Sequence, residues 1–290
     1  MSETTSDTIR VAHSPDSDDA FMFHALARRE IDAEGLRFSF EAHDTESLNA
    51  LAEASDAPDV LAVSAARYAT ITERYLLLPH GASVGRGYGP VVVSAGSSAL
   101  ALGELAGKKI GVPGLRTTAY LVLRILLDRF DPVTIPIAPY ELVWRALRSR
   151  AVDAALVIHE GRLTFEREGF GFVCDVGDAW TKAHGVPLPL GVNVIRRALG
   201  EERIARVSRV VRRSIAWAFA HRDEVMRALL TATERATPLD AAALDRYLAM
   251  YANDDTLEMR ADVIAGLKTL FAEAARRELL PKAPSIELAP

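Results

Sequence analysis

The sequence predicts an α/β protein in which strands of mainly parallel sheets are connected by crossover helices. Short apolar runs alternate along the chain with segments of helical period. The run Ala154–Ile158 is so apolar that both of its faces are expected to be covered, as in a parallel sheet. Because 290 residues usually divide into domains of about 100 to 150 residues, we expect two α/β domains.

The first third of the chain contains strands separated by two helices. The strands are predicted at Ile9–Ala12, Leu36–Phe40 and Val60–Val63, with one helix beginning within Asp16–Asp19 and another at Glu46–Ala54. Two further strand candidates, Tyr75–Leu78 and Pro90–Ser94, follow the third strand. They flank the glycine-dense stretch Gly81–Gly89, where the backbone must turn tightly or lie open to a ligand.

A second set of elements begins at the strand Lys109–Val112, which leads through Pro113 and Gly114 into a strongly apolar helix over Thr117–Phe130. It continues with the strands Val133–Ile137 and Ala154–Ile158 and with the helix Tyr140–Ser149 between them. After the proline-rich stretch Pro187–Leu190, two apolar stripes of helical spacing predict helices. They consist of Val207, Val210, Val211, Ser214, Ile215, Ala218 and Phe219, and of Val263, Ile264, Leu267, Leu270, Phe271 and Ala274.

Composition and charge argue against several classes of partner. The net charge is −5 and the basic residues are spread along the chain, so neither nucleic acid nor anionic lipid is an expected partner. The run Ala119–Leu127 is too short and too charged to be a membrane helix. The single cysteine, Cys174, excludes an internal disulfide and a cysteine-based zinc cluster, and residues 1–10 show no export signal. These features predict a cytoplasmic protein.

Polar clusters follow several predicted strands at the points where those strands end. They are His13–Asp19, Ser64, Gly114–Thr118 and His159–Arg162. Ligands of open parallel sheets lie beyond the carboxyl ends of the strands, where loops and helix amino ends supply backbone donors. We therefore expect these clusters to converge on one ligand site.

Each cluster also has a purely structural interpretation. Ser14, Asp16 and Ser17 are good helix caps, and so is the pair Thr117 and Thr118, although two hydroxyls at a helix amino end also suit a carboxylate or phosphate. A histidine at a strand end, such as His159, is more often structural than catalytic when nothing else is known.

Three motif interpretations are weak. The trio Asp16, Asp18 and Asp19 lacks the glycine and the further oxygen ligands of a calcium loop. His159 and Glu160 resemble half of a zinc protease motif, but Leu163 stands where the second histidine would be. Gly81–Gly89 is neither a dinucleotide turn nor a phosphate-binding loop. We therefore expect no metal and no nucleotide cofactor.

Several blocks, in this order, resemble the 1,4-dihydroxy-6-naphthoate synthases of the futalosine route to menaquinone. The resemblance covers nearly the whole chain, and its strength lies in the order of the blocks rather than in any one of them. The blocks are Ser14-Pro15 with Asp19 and Phe21, Asp44–Asn49, Gly85–Pro90, Val112–Gly114 with Thr117–Tyr120, Ile158–Arg162, Asp175–Gly177 with Trp180, and Gly185–Gly191.

The resemblance implies a two-lobed fold like that of type II periplasmic binding proteins, with a ligand cleft between the lobes. Residues 1–96 and 191–290 would form lobe one, and residues 97–190 an inserted lobe two. It further implies a lyase that converts cyclic dehypoxanthinyl futalosine, an aromatic carboxylate, to 1,4-dihydroxy-6-naphthoate without a cofactor.

The residues that match the family's site are carried over as expectations. His159 would be the catalytic base, a role that suits an imidazole because it titrates near neutral pH. Substrate-binding residues would be Ser64, Thr117, Thr118, Asp19, Gly89 and Pro90.

The first block departs from the family pattern, in which Ser-Pro is commonly followed by Cys-Pro-Asn-Asp-Thr-Phe. This chain has Asp16-Ser17-Asp18-Asp19-Ala20-Phe21, which removes an amide and a hydroxyl and adds negative charge where an anionic ligand is expected. Ala179 also stands where the family often has a second tryptophan beside Trp180. Two alternatives therefore stay open: an enzyme acting on a related aromatic carboxylate, and a solute-binding protein without catalysis.

Overall fold

The computed structural model describes residues 8–96, 100–232 and 239–290, which form two mixed sheets. The first sheet has the order β2-β1-β3-β11-β4, and β5 also pairs with β11. Its strands are β1 (Thr8–His13), β2 (Arg37–Ala42), β3 (Val60–Ser64), β4 (Tyr75–Leu77), β5 (Ser83–Gly85) and β11 (Leu188–Arg196). The second sheet has the order β10-β6-β9-β7-β8. Its strands are β6 (Val91–Ser94), β7 (Lys109–Val112), β8 (Asp131–Thr134), β9 (Ala154–Val157) and β10 (Gly171–Asp175).

The helices pack around these two sheets. They are α1 (Ser17–Arg28), α2 (Thr45–Leu51), α3 (Ala65–Tyr68), α4 (Thr118–Leu126), α5 (Glu141–Arg148), α6 (Gly161–Thr164), α7 (Val176–His184), α8 (Glu201–Ala220), α9 (Arg222–Thr231), α10 (Ala241–Tyr251), α11 (Asp254–Leu257) and α12 (Ala261–Arg276). Two short 3-10 helices lie at Leu102–Leu105 and Arg197–Leu199. Within the described ranges, no helix is both long enough and apolar enough to cross a bilayer.

The strand directions confirm the expected parallel pairings and add antiparallel ones. β1 is parallel to β2 and β3, and β7 is parallel to β8 and β9. By contrast, β11 runs antiparallel to β3, β4 and β5, and β6 runs antiparallel to β9 and β10. The antiparallel strands β6 and β11 carry the chain from one sheet to the other, without the crossover helix that a parallel neighbour in the same sheet requires.

The change of sheet does not coincide with the lobe boundaries expected at residues 96/97 and 190/191. β6 already belongs to the second sheet, so the chain leaves the first sheet before Val91. β11 pairs with β5 from Leu188 onward, so the chain has returned before that residue. The strands of the second sheet therefore lie between Val91 and Asp175, and the lobe boundaries at 96/97 and 190/191 stay a prediction. Residue 97 itself lies outside the described residues.

The predicted apolar stripes of the C-terminal helices lie in the core. Val207, Val210, Val211 and Ile215 of α8 are fully buried against the first sheet, in a cluster with Ile9 and Val11 of β1. The stripe of α12 is likewise buried, and its Gly266 lets the helix approach β11 closely, since a Cβ there would lie 2.5 Å from the Pro187 carbonyl oxygen. Burying apolar area in this way contributes roughly 25 cal/mol per Å². Packing therefore fixes these helices against the sheet strands that lead to the cleft.

Candidate active site

A cleft lies between the two sheets, at the carboxyl ends of β1, β3, β7 and β9. It contains about 760 Å³ of empty space, part of which is open to solvent. The residues that line it come from both sheets and from the C-terminal helix α10, and they include His159, Ser64, Thr117, Thr118, Asp19 and Pro90. The expected convergence of separate polar clusters on one site is therefore what the structure shows.

His159 follows the last residues of β9 and turns its side chain toward the cleft. Its φ of 47° is in the left-handed region, and its side chain is 19% exposed. The ring has polar neighbours on both nitrogens: Nε2 lies 3.1 Å from Thr45 Oγ1, and Nδ1 lies 3.2 Å from Tyr247 Oη. Asp16 Oδ2 also lies 3.2 Å from Nδ1. A non-glycine residue with positive φ is uncommon, although Arg29, Glu34, Arg150 and Glu278 share it in this chain.

Tyr247 connects His159 to a carboxylate of the first motif. Its hydroxyl donates a hydrogen bond of 2.9 Å to Asp18 Oδ1, and the Ser83 hydroxyl donates one of 2.8 Å to Asp18 Oδ2. Burial first, and the charge of Asp18 next, raise the pKa of Tyr247 well above its ordinary value. The tyrosine therefore keeps its proton at physiological pH.

Two more carboxyl groups, Asp16 and Glu160, lie buried beneath His159. Ser14 Oγ donates to Asp16 Oδ2, and the Ser17 hydroxyl donates to Glu160 Oε1 over 3.0 Å. Burial and the charge of Asp18 raise the pKa of Asp16 to about 7, while burial and the charge of Asp16 raise the pKa of Glu160 to about 8. Both carboxyls are thus held partly or mainly protonated near neutral pH.

Asp19 lines the cleft, as a substrate-binding residue must. Its Oδ2 accepts a hydrogen bond of 2.7 Å from the Ser14 amide. Burial first, and the charge of Asp18 next, raise the pKa of Asp19 well above its ordinary value. A protonated carboxyl can donate a hydrogen bond to an anionic ligand. The acidic first motif therefore carries less negative charge than its sequence suggests.

Ser64 ends β3 and presents its hydroxyl to the cleft. Asn49 fixes this residue from both sides: its side-chain oxygen accepts from the Ser64 amide over 2.9 Å, and its side-chain nitrogen donates to Ser64 Oγ over 3.0 Å. The hydroxyl oxygen is therefore an acceptor already. Its hydrogen has no acceptor among the described residues and is available to a ligand.

Thr117 and Thr118 line the same cleft, but their hydroxyls already make structural hydrogen bonds. Thr117 caps α4: its hydroxyl accepts from the Tyr120 amide over 3.2 Å and donates to the Gly114 carbonyl over 2.8 Å. The Thr118 hydroxyl accepts from the Ala66 amide over 3.0 Å and donates to the Leu190 carbonyl over 2.7 Å. Contacts with a ligand are therefore left to the first backbone amides of α4, at its positive end.

Of the two neighbouring residues Gly89 and Pro90, only Pro90 lines the cleft. Gly89 packs instead against α7, where a Cβ would lie 2.9 Å from the Cα of Gly177. Its carbonyl oxygen accepts a hydrogen bond from Arg162, a residue of the His159 block. Gly89 thus shapes the connection between the sheets, and its expected role in substrate binding stays a prediction.

Several lining residues escape sequence reasoning, namely Thr45, Ser83, Asn193, Tyr247 and Tyr251. Thr45 lies in a block that carries the resemblance, so that block could have indicated it. Tyr247 and Tyr251 are four residues apart and therefore share one face of α10, but only tertiary packing places that face on the cleft. In the described part of the chain, no group of three His, Cys, Asp or Glu residues is arranged to hold a metal ion.

Comparisons with known proteins agree with this geometry. The family model described as menaquinone biosynthesis matches residues 9–276. The chain belongs to this family. A 1,4-dihydroxy-6-naphthoate synthase of Streptomyces coelicolor is 34% identical over 285 residues, with 96% of each chain covered. One of Thermus thermophilus is 34% identical over 278 residues, covering 96% of this chain and 98% of the relative. These names support an enzymatic role in menaquinone biosynthesis.

Solved structures of other proteins confirm that this chain has the two-lobed fold. Protein AF1704 from Archaeoglobus fulgidus is similar with a TM-score of 0.87 and 39% identity, covering 95% of this chain and all of that one. The periplasmic aliphatic sulphonate binding protein SsuA from Escherichia coli has a TM-score of 0.66 and 14% identity, covering 97% of this chain and 90% of that one. The second similarity shows the fold alone, which is that of a periplasmic binding protein.

Proposed function

We propose that this protein is a carbon–carbon lyase that converts cyclic dehypoxanthinyl futalosine to 1,4-dihydroxy-6-naphthoate and a small sugar-derived fragment. His159 is its general base. The two synthases with 34% identity over nearly their whole length support the choice of reaction. The observation that carries the proposal is that His159 reaches the cleft while three side chains hold its ring.

The position of His159 suits proton transfer. A general base must lie within hydrogen-bond reach of the proton that it takes, and its environment must keep the ring in one orientation. The ring lines the cleft and is 19% exposed, and Tyr247 and Asp16 contact its Nδ1. His159 can therefore withdraw a proton as the substrate ring opens and the carbon–carbon bond breaks.

The remaining wall of the cleft suits an aromatic carboxylate. Apolar residues such as Val63, Leu190 and Val192 and the ring of Tyr251 offer a surface for a flat bicyclic system. The Ser64 hydroxyl and the first amides of α4 offer donors to a carboxylate or to sugar oxygens. Burial raises the pKa of Asp19 well above its ordinary value, which lowers the repulsion that an acidic motif would exert on an anion.

The test is to incubate the purified protein with cyclic dehypoxanthinyl futalosine and to measure the masses of the products. We expect 1,4-dihydroxy-6-naphthoate from the wild type and none from His159→Asn. Binding of the intact substrate without turnover by the wild type would instead favour a solute-binding protein. Turnover of another aromatic carboxylate, with none of this substrate, would favour a related enzyme.

A further inference from the structure

Two oxygen atoms contact Nδ1 of His159. Tyr247 Oη and Asp16 Oδ2 each lie 3.2 Å from Nδ1. Tyr247 is 1% exposed and Asp16 is 2% exposed, so water does not compete for these contacts. The direction of the hydrogen bonds here decides which ring nitrogen carries the proton.

Asp18 determines the direction of the first contact. The Tyr247 hydroxyl has one hydrogen, and it lies on the 2.9 Å bond to Asp18 Oδ1. Ser83 donates to the other oxygen of the same carboxylate, and an ionised carboxylate can only accept. Tyr247 can therefore only accept from His159, so the imidazole must donate from Nδ1.

Asp16 acts in the same sense. Its Oδ2 accepts from the Ser14 hydroxyl and lies beside Nδ1. An oxygen lone pair next to an unprotonated nitrogen is repelled, whereas one next to an N–H group is attracted. With Asp16 ionised, as it is at alkaline pH, both neighbours of Nδ1 thus favour a proton on that atom.

We propose that Asp18, acting through Tyr247, is a positioning residue that holds the proton of neutral His159 on Nδ1 and leaves Nε2 as the base. The expected effect on kcat rests on the proposed function, whereas the expected position of the ring proton does not. Tyr247 brings the C-terminal helix α10 into the site, 88 residues after His159. Asp18 stands where the resembled family pattern has asparagine, so the arrangement belongs to this chain's own motif.

The other nitrogen then faces the substrate. Thr45 Oγ1 lies 3.1 Å from Nε2 and donates to it when Nε2 is unprotonated. A substrate C–H or O–H group must take the place of the Thr45 hydroxyl to reach this single lone pair. The titratable groups that face the imidazole or its neighbours are Asp16, Asp18, Asp44, Glu160 and Tyr247.

The experiment is nitrogen NMR of the full chain labelled in its histidine rings, recorded at alkaline pH where the rings are neutral. His159→Asn identifies the His159 signals by their loss. We expect the wild type to carry the proton on Nδ1. Tyr247→Phe and Asp18→Asn should each shift a measurable fraction of the proton to Nε2. Tyr247→Phe removes the oxygen that accepts from Nδ1. Asp18→Asn replaces a carboxylate, which can only accept, by an amide that can also donate to Tyr247. Tyr75→Phe is the matched control, since it deletes a buried hydroxyl that donates 2.9 Å to the Pro58 carbonyl, away from the cleft.

Kinetics provide the second readout. Tyr247→Phe and Asp18→Asn should each lower kcat by about 10- to 100-fold, with KM changed by less than about threefold, as expected for a group that acts through the base. The double variant should be no worse than the poorer single variant, because both changes break the same chain of contacts.

The possible results separate this inference from the proposed function. A proton on Nε2 in the wild type, or one that stays on Nδ1 in both variants, would overturn the inference whatever the activity. A wild type without lyase turnover but with the proton on Nδ1, displaced in the variants, would overturn the proposed function and leave the positioning role in place. Equal shifts in Tyr75→Phe would show a general loss of structure and would also overturn the inference.

Discussion

Two walls of the cleft differ in how their polar groups are used. The acid wall consists of Asp16, Asp18, Glu160 and Tyr247 around His159, and the hydroxyl wall consists of Ser64, Thr117 and Thr118. In the hydroxyl wall, both threonine hydroxyls already donate and accept within the protein. In the acid wall, by contrast, Asp16 Oδ1 and Glu160 Oε2 are buried without a hydrogen-bond partner among the described residues.

This difference separates structural from chemical roles. A buried polar group without a partner costs roughly 1 to 3 kcal/mol, so a fold retains such groups mainly where they perform a function. Thr118 links α4 to Ala66 and Leu190 of the first-sheet side, and Thr117 caps α4. The acid wall surrounds His159, which has a positive φ, and contains two buried oxygen atoms without partners among the described residues. Proton transfer is expected there.

The substitution His159→Asn tests the chemical role of the acid wall and is expected to have the largest effect. Asparagine tolerates the left-handed backbone conformation of residue 159, so folding should be retained. Without the base we expect kcat to fall by about a hundred- to ten-thousand-fold. Steady-state turnover, with thermal unfolding and substrate binding as controls, measures this. Turnover close to that of the wild type would remove His159 from the chemistry.

Glu160→Gln tests whether the fold holds Glu160 protonated, by changing how the free energy of unfolding depends on pH. Glutamine keeps the oxygen that accepts from Ser17 but cannot ionise. Because the pKa of Glu160 rises from 4.5 to about 8 on folding, its contribution is fully favourable below pH 4.5 and is lost as pH rises toward 8. We expect the wild type to lose on the order of 1 to 4 kcal/mol more unfolding free energy between these pH values than the variant does.

Urea unfolding at both pH values measures this difference. Glu141→Gln is the control, because Glu141 is exposed on α5 and its loss should leave the pH dependence unchanged. Parallel pH profiles of wild type and Glu160→Gln would show that Glu160 is not held protonated by the fold.

Thr118→Val tests the structural role of the hydroxyl wall. The variant keeps the shape of the side chain but leaves the Ala66 amide and the Leu190 carbonyl without their partner. We expect the free energy of unfolding to fall by about 1 to 3 kcal/mol, with little change in KM. Urea unfolding and Michaelis kinetics measure the two quantities. A large rise in KM with unchanged stability would mean that this hydroxyl binds substrate instead.

Ser64→Ala should have the smallest effect on turnover, since it removes one free donor, and it also leaves the Asn49 side-chain nitrogen without its acceptor. We expect KM to rise by about 2- to 10-fold with kcat nearly unchanged, as for the loss of a single neutral hydrogen bond. The control is Thr117→Ala, which removes a helix cap and should lower stability by about 1 kcal/mol. An unchanged KM in Ser64→Ala would place the substrate carboxylate elsewhere in the cleft.

Much of the fold follows from local patterns in the sequence. The apolar runs at β1, β3, β7 and β9 predicted strands whose carboxyl ends form the cleft, and the stripe of α8 predicted a buried face. β11 was missed because proline and glycine interrupt it, and β10 because it is short; the pairing of both depends on strands distant in sequence. The antiparallel entry of β6 into the second sheet has no local signal at all.

The site was predictable to a similar degree. Strand ends and the family resemblance together indicated His159, Ser64 and Thr118, which the structure brings to one cleft. The expected convergence of clusters brought Asp16 near His159, but the direct contact with Asp16 and the contact with Tyr247, 88 residues later, were not predictable. Contacts over such separations are decided by tertiary packing. The same packing makes Thr117 a cap and turns Gly89 away from the cleft.

The account depends on His159 being the group that meets the reacting atom of the substrate. A crystal structure of His159→Asn with cyclic dehypoxanthinyl futalosine bound would test this most directly. We predict that the substrate lies between the two sheets, with its carboxylate on the hydroxyl wall and its reacting ring facing residue 159. A substrate whose reacting ring faces a different titratable group, with residue 159 out of reach, would contradict the account.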